Sequence, residues 1–271
     1  MTPRPTGAQP AGSTVLGFKS APVQRLRRLL RQPKARADEG AFVVEGPRLI
    51  GAAFDAGAAI ESIYVACDTG DGLVERAMAS DVPVSTLAAG VAERVSDTVT
   101  PQGLFAVCSR VDVPVESLRG LSLFVVAVGI QDPGNLGTIL RGAGAAGEAG
   151  VICCTGTVDL YNPKCLRASA GSLFHLSIVA GGDPVEVLEK LGSWGVQRMA
   201  TMPSGGVAYH ACDLVPPTAL VFGNESRGLD ADLLRHVDVT VTIPMSASTE
   251  SLNVAMAATV ICFEAARQRR R

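Results

Sequence analysis

The second half of the chain alternates short apolar runs with helical stretches, and this alternation limits the possible folds more than any other feature. Strand-like runs fall at 123–130, 151–154, 175–179, 196–201, 219–222 and 239–243. Helical stretches fall at 136–146, 163–173, 184–191, 231–236 and 249–267. Apolar strands separated by helices predict an α/β fold with a mostly parallel sheet covered on both faces. Ligands of such sheets sit beyond the carboxyl ends of the strands. Aromatics make up only 4% of the residues while 47% are apolar, so the cores must be built from Ala, Val, Leu and Ile.

The first half reads as a smaller αβ unit. Val23, Leu26, Leu29 and Leu30 have helical spacing, and Pro33 is expected to end that helix. Strands are expected at 42–44, 60–67, 82–87 and 104–111, with helices at 47–59 and 73–79. The Pro- and Gly-rich residues 1–20 are expected to be disordered. The expected division is a tail at 1–20, a first domain at 21–112 and a second at 113–271.

The formal net charge is −2, which excludes a uniformly basic nucleic-acid binder. The distribution is uneven. No acidic residue occurs in residues 1–37, which hold Lys19, Arg25, Arg27, Arg28, Arg31, Lys34 and Arg36. The chain ends Arg267-Gln268-Arg269-Arg270-Arg271. Such local patches can hold phosphates, or can simply be solvated helix faces. The seven cysteines include no C-x-x-C pair and fall mostly in apolar runs, so free buried thiols and no metal site are expected. No apolar core follows the basic N-terminal residues, and the apolar run 121–130 is too short to span a bilayer. A cytoplasmic protein is expected.

Three loops that follow strands of the second domain carry unusual chemistry. The first is Gln131-Asp132-Pro133-Gly134-Asn135-Leu136-Gly137, leading to Arg141. Asn135 can cap the helix, and Arg141 suits a phosphate or a developing oxyanion. The second is Gly223-Asn224-Glu225-Ser226-Arg227-Gly228-Leu229, where glycine at a strand end implies close backbone approach. The third runs from Ile243-Pro244-Met245-Ser246 to Thr249-Glu250-Ser251-Leu252-Asn253-Val254, with Ser251 and Asn253 near a helix start. Each loop also has a purely structural reading as a cap or turn. The run Gly142-Ala143-Gly144-Ala145-Ala146-Gly147 matches G-x-G-x-x-G. It lies inside a helix rather than between a strand and its helix, so it is assigned to helix packing and not to a dinucleotide.

Together the three loops resemble the signature motifs of the SpoU (TrmH) family of RNA ribose 2′-O-methyltransferases, within the SPOUT superfamily. Tyr161-Asn162-Pro163-Lys164 with Arg167-Ala168-Ser169-Ala170-Gly171 is similar to a further family stretch. Arg36, Phe42-Val43-Val44-Glu45-Gly46 and the following helix resemble the family's ribosomal-protein-like substrate-binding module. Two positions depart from the family pattern: Ala146 precedes Gly147 where a bulky residue is usual, and Gly142 follows Arg141 where Ser or Thr is common.

The resemblance implies a trefoil-knotted C-terminal region, a homodimer, and S-adenosylmethionine (AdoMet) as cofactor, with no metal and no membrane partner. It implies AdoMet contacts around Thr201, Gly223, Ile243, Met245 and Leu252. It implies catalytic roles for Arg141, Asn135, Glu225, Ser251 and Asn253. Arg25, Arg28, Lys34, Arg36, Lys164, Arg167 and Ser169 are expected to contact RNA. The expected substrate is 23S ribosomal RNA; transfer RNA, a non-catalytic RNA-binding role and a nucleotide-dependent oxidoreductase are the alternatives.

Overall fold

The computed structural model describes residues 15–66, 71–147, 149–246 and 251–270. The chain divides into two compact units, residues 1–110 and 111–271. Of the segment expected to be disordered, residues 1–14 lie outside the described residues. Residues 15–20 are ordered, because Val15–Leu16 pairs with another strand.

Unit 1 runs β1 (Val15–Leu16), α1 (Ala21–Arg31), α2 (Pro33–Glu39), β2 (Ala41–Glu45), α3 (Pro47–Asp55), β3 (Ile60–Ala66), α4 (Asp71–Ala79), β4 (Val84–Leu87), α5 (Val91–Val95) and β5 (Leu104–Ser109). Its sheet order is β1-β4-β3-β5-β2. The β1–β4 and β4–β3 pairs are parallel, and β5 runs antiparallel to β3 and β2. Val23, Leu26, Leu29 and Leu30 of α1 are buried against this sheet, as their spacing predicts.

Pro33 does not simply end a helix. It starts α2, since a proline in the first turn lacks only an N–H that has no helical partner there. Gly40, at φ 63°, stops α2. Arg36 is buried, and its guanidinium donates to the carbonyls of Leu29 and Leu30 at 2.6 and 3.2 Å. It satisfies carbonyls at the end of α1 and is turned away from solvent.

Unit 2 runs β6 (Leu123–Ala127), α6 (Pro133–Ala146), β7 (Gly150–Cys153), α7 (Pro163–Ser169), β8 (Ser177–Ala180), α8 (Pro184–Ser193), β9 (Gln197–Thr201), β10 (Val207–Ala208), β11 (Thr218–Phe222), α9 (Ala231–Leu234), β12 (Val239–Thr242) and α10 (Val254–Arg269). Its seven strands lie in the order β10-β12-β9-β11-β6-β7-β8. Every pair is parallel. Strands β6, β7 and β11 are buried along their whole length, which is why they read as unbroken apolar runs. The chain moves outward from β6 through β7 to β8, then returns to the other side of β6. The strand order reverses beside β6, and parallel sheets bind ligands beyond the carboxyl ends of their strands at such a point.

Helix α6 packs closely on its neighbours because its glycines remove side chains. A Cβ at Gly137 would lie 2.4 Å from the Cys165 carbonyl oxygen and 2.6 Å from the Ala168 Cβ. A Cβ at Gly142 would lie 2.5 Å from Thr259 Oγ1 on α10. Gly147 ends the helix at φ 142°. The G-x-G-x-x-G run is therefore a packing surface and a stop. Cys108, Cys153, Cys154, Cys165, Cys212 and Cys262 are free and buried, and burial pushes the thiols of Cys108, Cys153, Cys154 and Cys262 up to about 12. Among the described residues no helix is long and apolar enough to cross a membrane.

The glycines of α6 are separable by experiment. Replacing glycine by alanine inside a helix stabilises it by about 1 kcal/mol when space allows. At Gly144 the nearest atom to a new Cβ is Ser172 Cβ at 3.4 Å, an ordinary contact. At Gly137 the obstacle is backbone, and overpacking costs about 1–3 kcal/mol. Gly137→Ala should therefore lower the denaturant midpoint while Gly144→Ala leaves it equal or higher. Equal midpoints for both variants would refute the packing argument.

Candidate active site

Three loops at the carboxyl edge of the unit 2 sheet are joined by side chains. The first follows β6 and opens α6. Asp132, not Asn135, is the N-cap of this helix: its Oδ1 accepts from Asn135 N at 3.0 Å. Asp132 followed by Pro133 is the residue pair that favours this role. The Asn135 side chain is thus released from capping. Its Nδ2 donates to Glu225 Oε1 at 3.0 Å, and its Oδ1 accepts from Asn253 Nδ2 at 2.9 Å.

Glu225 comes from the second loop, after β11. Its carboxylate also accepts from Gln131 N and Asp132 N, both at 3.1 Å. Burial pushes this carboxyl up, but the Asn135 amide and the two backbone N–H groups outweigh it and hold the pKa below the usual carboxylate range. Gly223 is required by this loop itself: a Cβ there would lie 2.5 Å from the Gly228 carbonyl carbon. Asn224 and Gly228 exchange backbone hydrogen bonds at 3.1 and 2.9 Å, which closes the turn. Asn224 Nδ2 then reaches back to the Gly129 carbonyl at 2.8 Å.

The third loop follows β12. Its residues 247–250, including Thr249 and Glu250, lie outside the described residues. The helix expected from residue 249 begins at Val254, because Asn253 is its cap. Asn253 Oδ1 accepts from Ala255 N and Met256 N at 2.9 and 3.3 Å. Its Nδ2 remains for Asn135, so one side chain both caps a helix and joins two loops. Ser251 is exposed beside it.

The remaining residues fall into groups. Thr201, Gly223 and Ile243 lie at or just beyond the carboxyl ends of β9, β11 and β12, adjacent parallel strands. Thr201 Oγ1 donates to the Val221 carbonyl at 2.9 Å. Met245 is half-buried, and Leu252 is exposed just before α10. Arg141 is exposed on α6, on the face shared with Gly134 and Thr138. Among the described residues Arg141 has no carboxylate partner.

Gln131 was not expected as a site residue. Its Nε2 donates to the carbonyls of Gly129 and Gly156 at 3.0 and 2.8 Å, bracing the turn before α6. No spacing rule points to it, since its partners are backbone groups.

The residues expected to touch RNA are not alike. Ser169 is buried, and its hydroxyl donates to the Leu166 carbonyl at 2.8 Å, so it faces the helix interior and not a phosphate. Lys164 pairs with Asp132 at 2.7 Å and holds that residue's carboxyl below its usual range. Arg167 and Lys34 are exposed. Arg36 is buried as described. Arg25 pairs with Glu39 and Glu61 at 2.7 and 2.8 Å, and Arg28 pairs with Glu39 at 2.6 Å. These carboxylates, distant in sequence, neutralise the two cations. The basic C-terminus is likewise engaged: Arg269 donates to the Ser122 and Pro216 carbonyls, both at 3.0 Å.

Comparison with known proteins places this arrangement in context. The SpoU rRNA Methylase family matches residues 122–263, and an MRM3-like substrate binding domain matches residues 21–106. The chain is 32% identical to the 23S rRNA (guanosine(2553)-2'-O)-methyltransferase RlmP of Bacillus subtilis, over 91% of this chain and 97% of that protein. It superposes on the SpoU methyltransferase AviRb of Streptomyces viridochromogenes, crystallised with AdoMet, with a TM-score of 0.83 at 30% identity, covering 92% of this chain and 99% of that one. An AdoMet-bound rRNA methyltransferase from Sinorhizobium meliloti gives a TM-score of 0.81 at 29% identity, covering 93% and 98%. With more than half of the sequence matched by the family and near-complete coverage of its relatives, the chain belongs to the SpoU rRNA methylase family.

Proposed function

We propose that the protein transfers a methyl group from AdoMet to a ribose 2′-hydroxyl of 23S ribosomal RNA. The observation that carries this reading is the side-chain relay Glu225–Asn135–Asn253. It ties the three motif-bearing loops together at the end of the sheet where a ligand belongs. Relatives that act on 23S rRNA align over nearly the whole chain.

The residues suit the cofactor. Thr201, Gly223 and Ile243 at the ends of adjacent strands, with Met245 in the loop after β12 and Leu252 just before α10, offer backbone groups and small or apolar side chains, a set that can hold an adenine and a methionine chain. When bound, AdoMet supplies a methyl on a positively charged sulfur, an electrophile that needs no metal. The protein must then position the ribose and manage its proton. A guanidinium is far too basic to act as a general base. Arg141 binds the neighbouring RNA phosphate and stabilises the forming alkoxide. The relay holds Asn135 and the start of α6, and so fixes the helix that carries Arg141. Ser251 and Asn253 brace the ribose side of the site.

The same reading includes a trefoil knot and a cytoplasmic homodimer. For the knot, the supporting features are β12 inserted between β9 and β10, and α10 returning to pack on α6. For the dimer, α10 exposes Met256, Val260 and Phe263 at i, i+4 and i+7.

The test is transfer of radiolabelled methyl from AdoMet to ribosomal RNA, with mapping of the modified ribose; no label on any RNA would overturn the reading. Arg141→Ala should keep AdoMet affinity and lose at least about a hundredfold in transfer, the scale of one removed transition-state donor. Wild-type turnover from that variant would sink the role given to Arg141. Met256→Asp with Phe263→Asp should yield a monomer by light scattering; an unaltered dimer would exclude this face of α10.

Glu225 makes a separate prediction. Its lowered pKa means its contribution to stability is complete above the usual carboxylate range and is lost as pH falls through the lowered folded value. Wild type should be more stable than Glu225→Gln at neutral pH, and the gap should narrow as pH falls below the usual carboxylate range. Parallel melting-temperature curves across that range would remove any charge-dependent part.

A further inference from the structure

The carboxylates of unit 1 sort the arginines of α1 into two sets. Arg25 and Arg28 face Glu39 and Glu61 and are neutralised. Arg27 and Arg31 are one helical turn apart on another side of α1 and have no carboxylate partner among the described residues. Arg94, on α5, also has none. Arg27 and Arg94 converge on one aromatic ring: their guanidinium carbons lie 4.6 and 3.6 Å from the centroid of Phe18.

This cluster is fixed in place. Phe18 packs partly on the unit 1 core, and Gln24 Nε2 donates to its carbonyl. Arg27 Nη1 donates in turn to Gln24 Oε1 at 3.2 Å. Arg27 Nε is buried without a hydrogen-bond partner. Lys19 is exposed next to Phe18 in the chain. Two guanidinium groups beside one ring repel each other, and the ring's attraction is only about 0.5–1 kcal/mol each at an exposed site. Arg94 is exposed, whereas Arg27, with Nε buried and Nη1 taken by Gln24, keeps Nη2 as the donor for a phosphate.

We propose that Phe18, Arg27 and Arg94, flanked by Lys19 and Arg31, form a preorganised clamp for the phosphate backbone of the substrate RNA, and that this surface replaces Arg25, Arg28 and Arg36 as the RNA contact of unit 1. The proposal rests on the reading of the protein as an RNA methyltransferase. It assigns affinity and register, not sequence choice, because phosphate contacts carry no base information.

The test uses the full-length protein and in-vitro transcribed 23S rRNA, with filter binding across a salt series. Arg27→Gln with Arg94→Gln should weaken binding about tenfold and lower the salt slope by about 1.5–2, the value for two lost phosphate contacts. AdoMet affinity, measured by calorimetry, should stay at the wild-type value. Arg27→Lys with Arg94→Lys should restore most of the slope, which separates lost charge from lost folding. Arg25→Gln with Arg28→Gln should leave the slope unchanged. If the Arg27 and Arg94 glutamine variant binds with wild-type affinity and slope while wild type transfers methyl to the RNA, the clamp is wrong and the enzymatic reading stands. If wild type neither binds nor methylates the RNA, both fall together.

Discussion

The three loops at the carboxyl edge of the second unit are held together through one side chain, Asn135, which presents a donor to one loop and an acceptor to another. Its amide donates to Glu225 and accepts from Asn253, residues 90 and 118 positions away in sequence. No other common residue of that size offers both polarities. Aspartate would set its carboxylate against that of Glu225, and leucine would leave Asn253 Nδ2 and one Glu225 oxygen without this partner. The relay works only because Asp132 takes over the capping of α6. Capping is thus left to Asp132, and the Asn135 side chain is free to join the loops.

The same economy appears in the helices around it. Helix α6 lies close to α7 and α10 because Gly137 and Gly142 present backbone where side chains would collide. Close approach brings the helix that carries Arg141 against the helix that Asn253 caps. Movement of the Asn253 loop is therefore opposed both at the relay and at the Gly142–Thr259 contact. A site built this way is held by packed helices rather than by the loops alone, which suits a reaction that needs positioning more than chemical assistance.

Much of this was legible in the sequence. The parallel sheet followed from apolar runs separated by helices, and the three loops stood out as polar turns after buried strands. What could not be read was the division of labour within each loop. Asp132 and Asn135 are both good capping residues, and only the backbone decides that Asp132 caps. Asn253 has both roles, which no single-position preference can express. The short elements β1, α5 and β10 do not stand out in the sequence, because two to five residues carry too little periodicity. Pro33 was read as a stop although it is equally suited to a start. Ser169 and Arg36 are expected to contact RNA, yet each is buried and donates to a nearby backbone carbonyl.

The charges of the first unit show why a basic stretch cannot be interpreted residue by residue from sequence. The arginines of α1 lie in a segment without acids, so all of them look available to an anion. Folding brings Glu39 and Glu61 beside Arg25 and Arg28, and the availability of those two is lost. It brings Phe18 and Arg94 beside Arg27 instead, a pairing that adds positive charge rather than cancelling it. Exposed ion pairs contribute little stability, so the pairing of Arg25 and Arg28 matters less for folding than for where it leaves uncompensated charge. Among the described residues, the field at this surface is set by the lack of a carboxylate beside Arg27 as much as by the cations that are present.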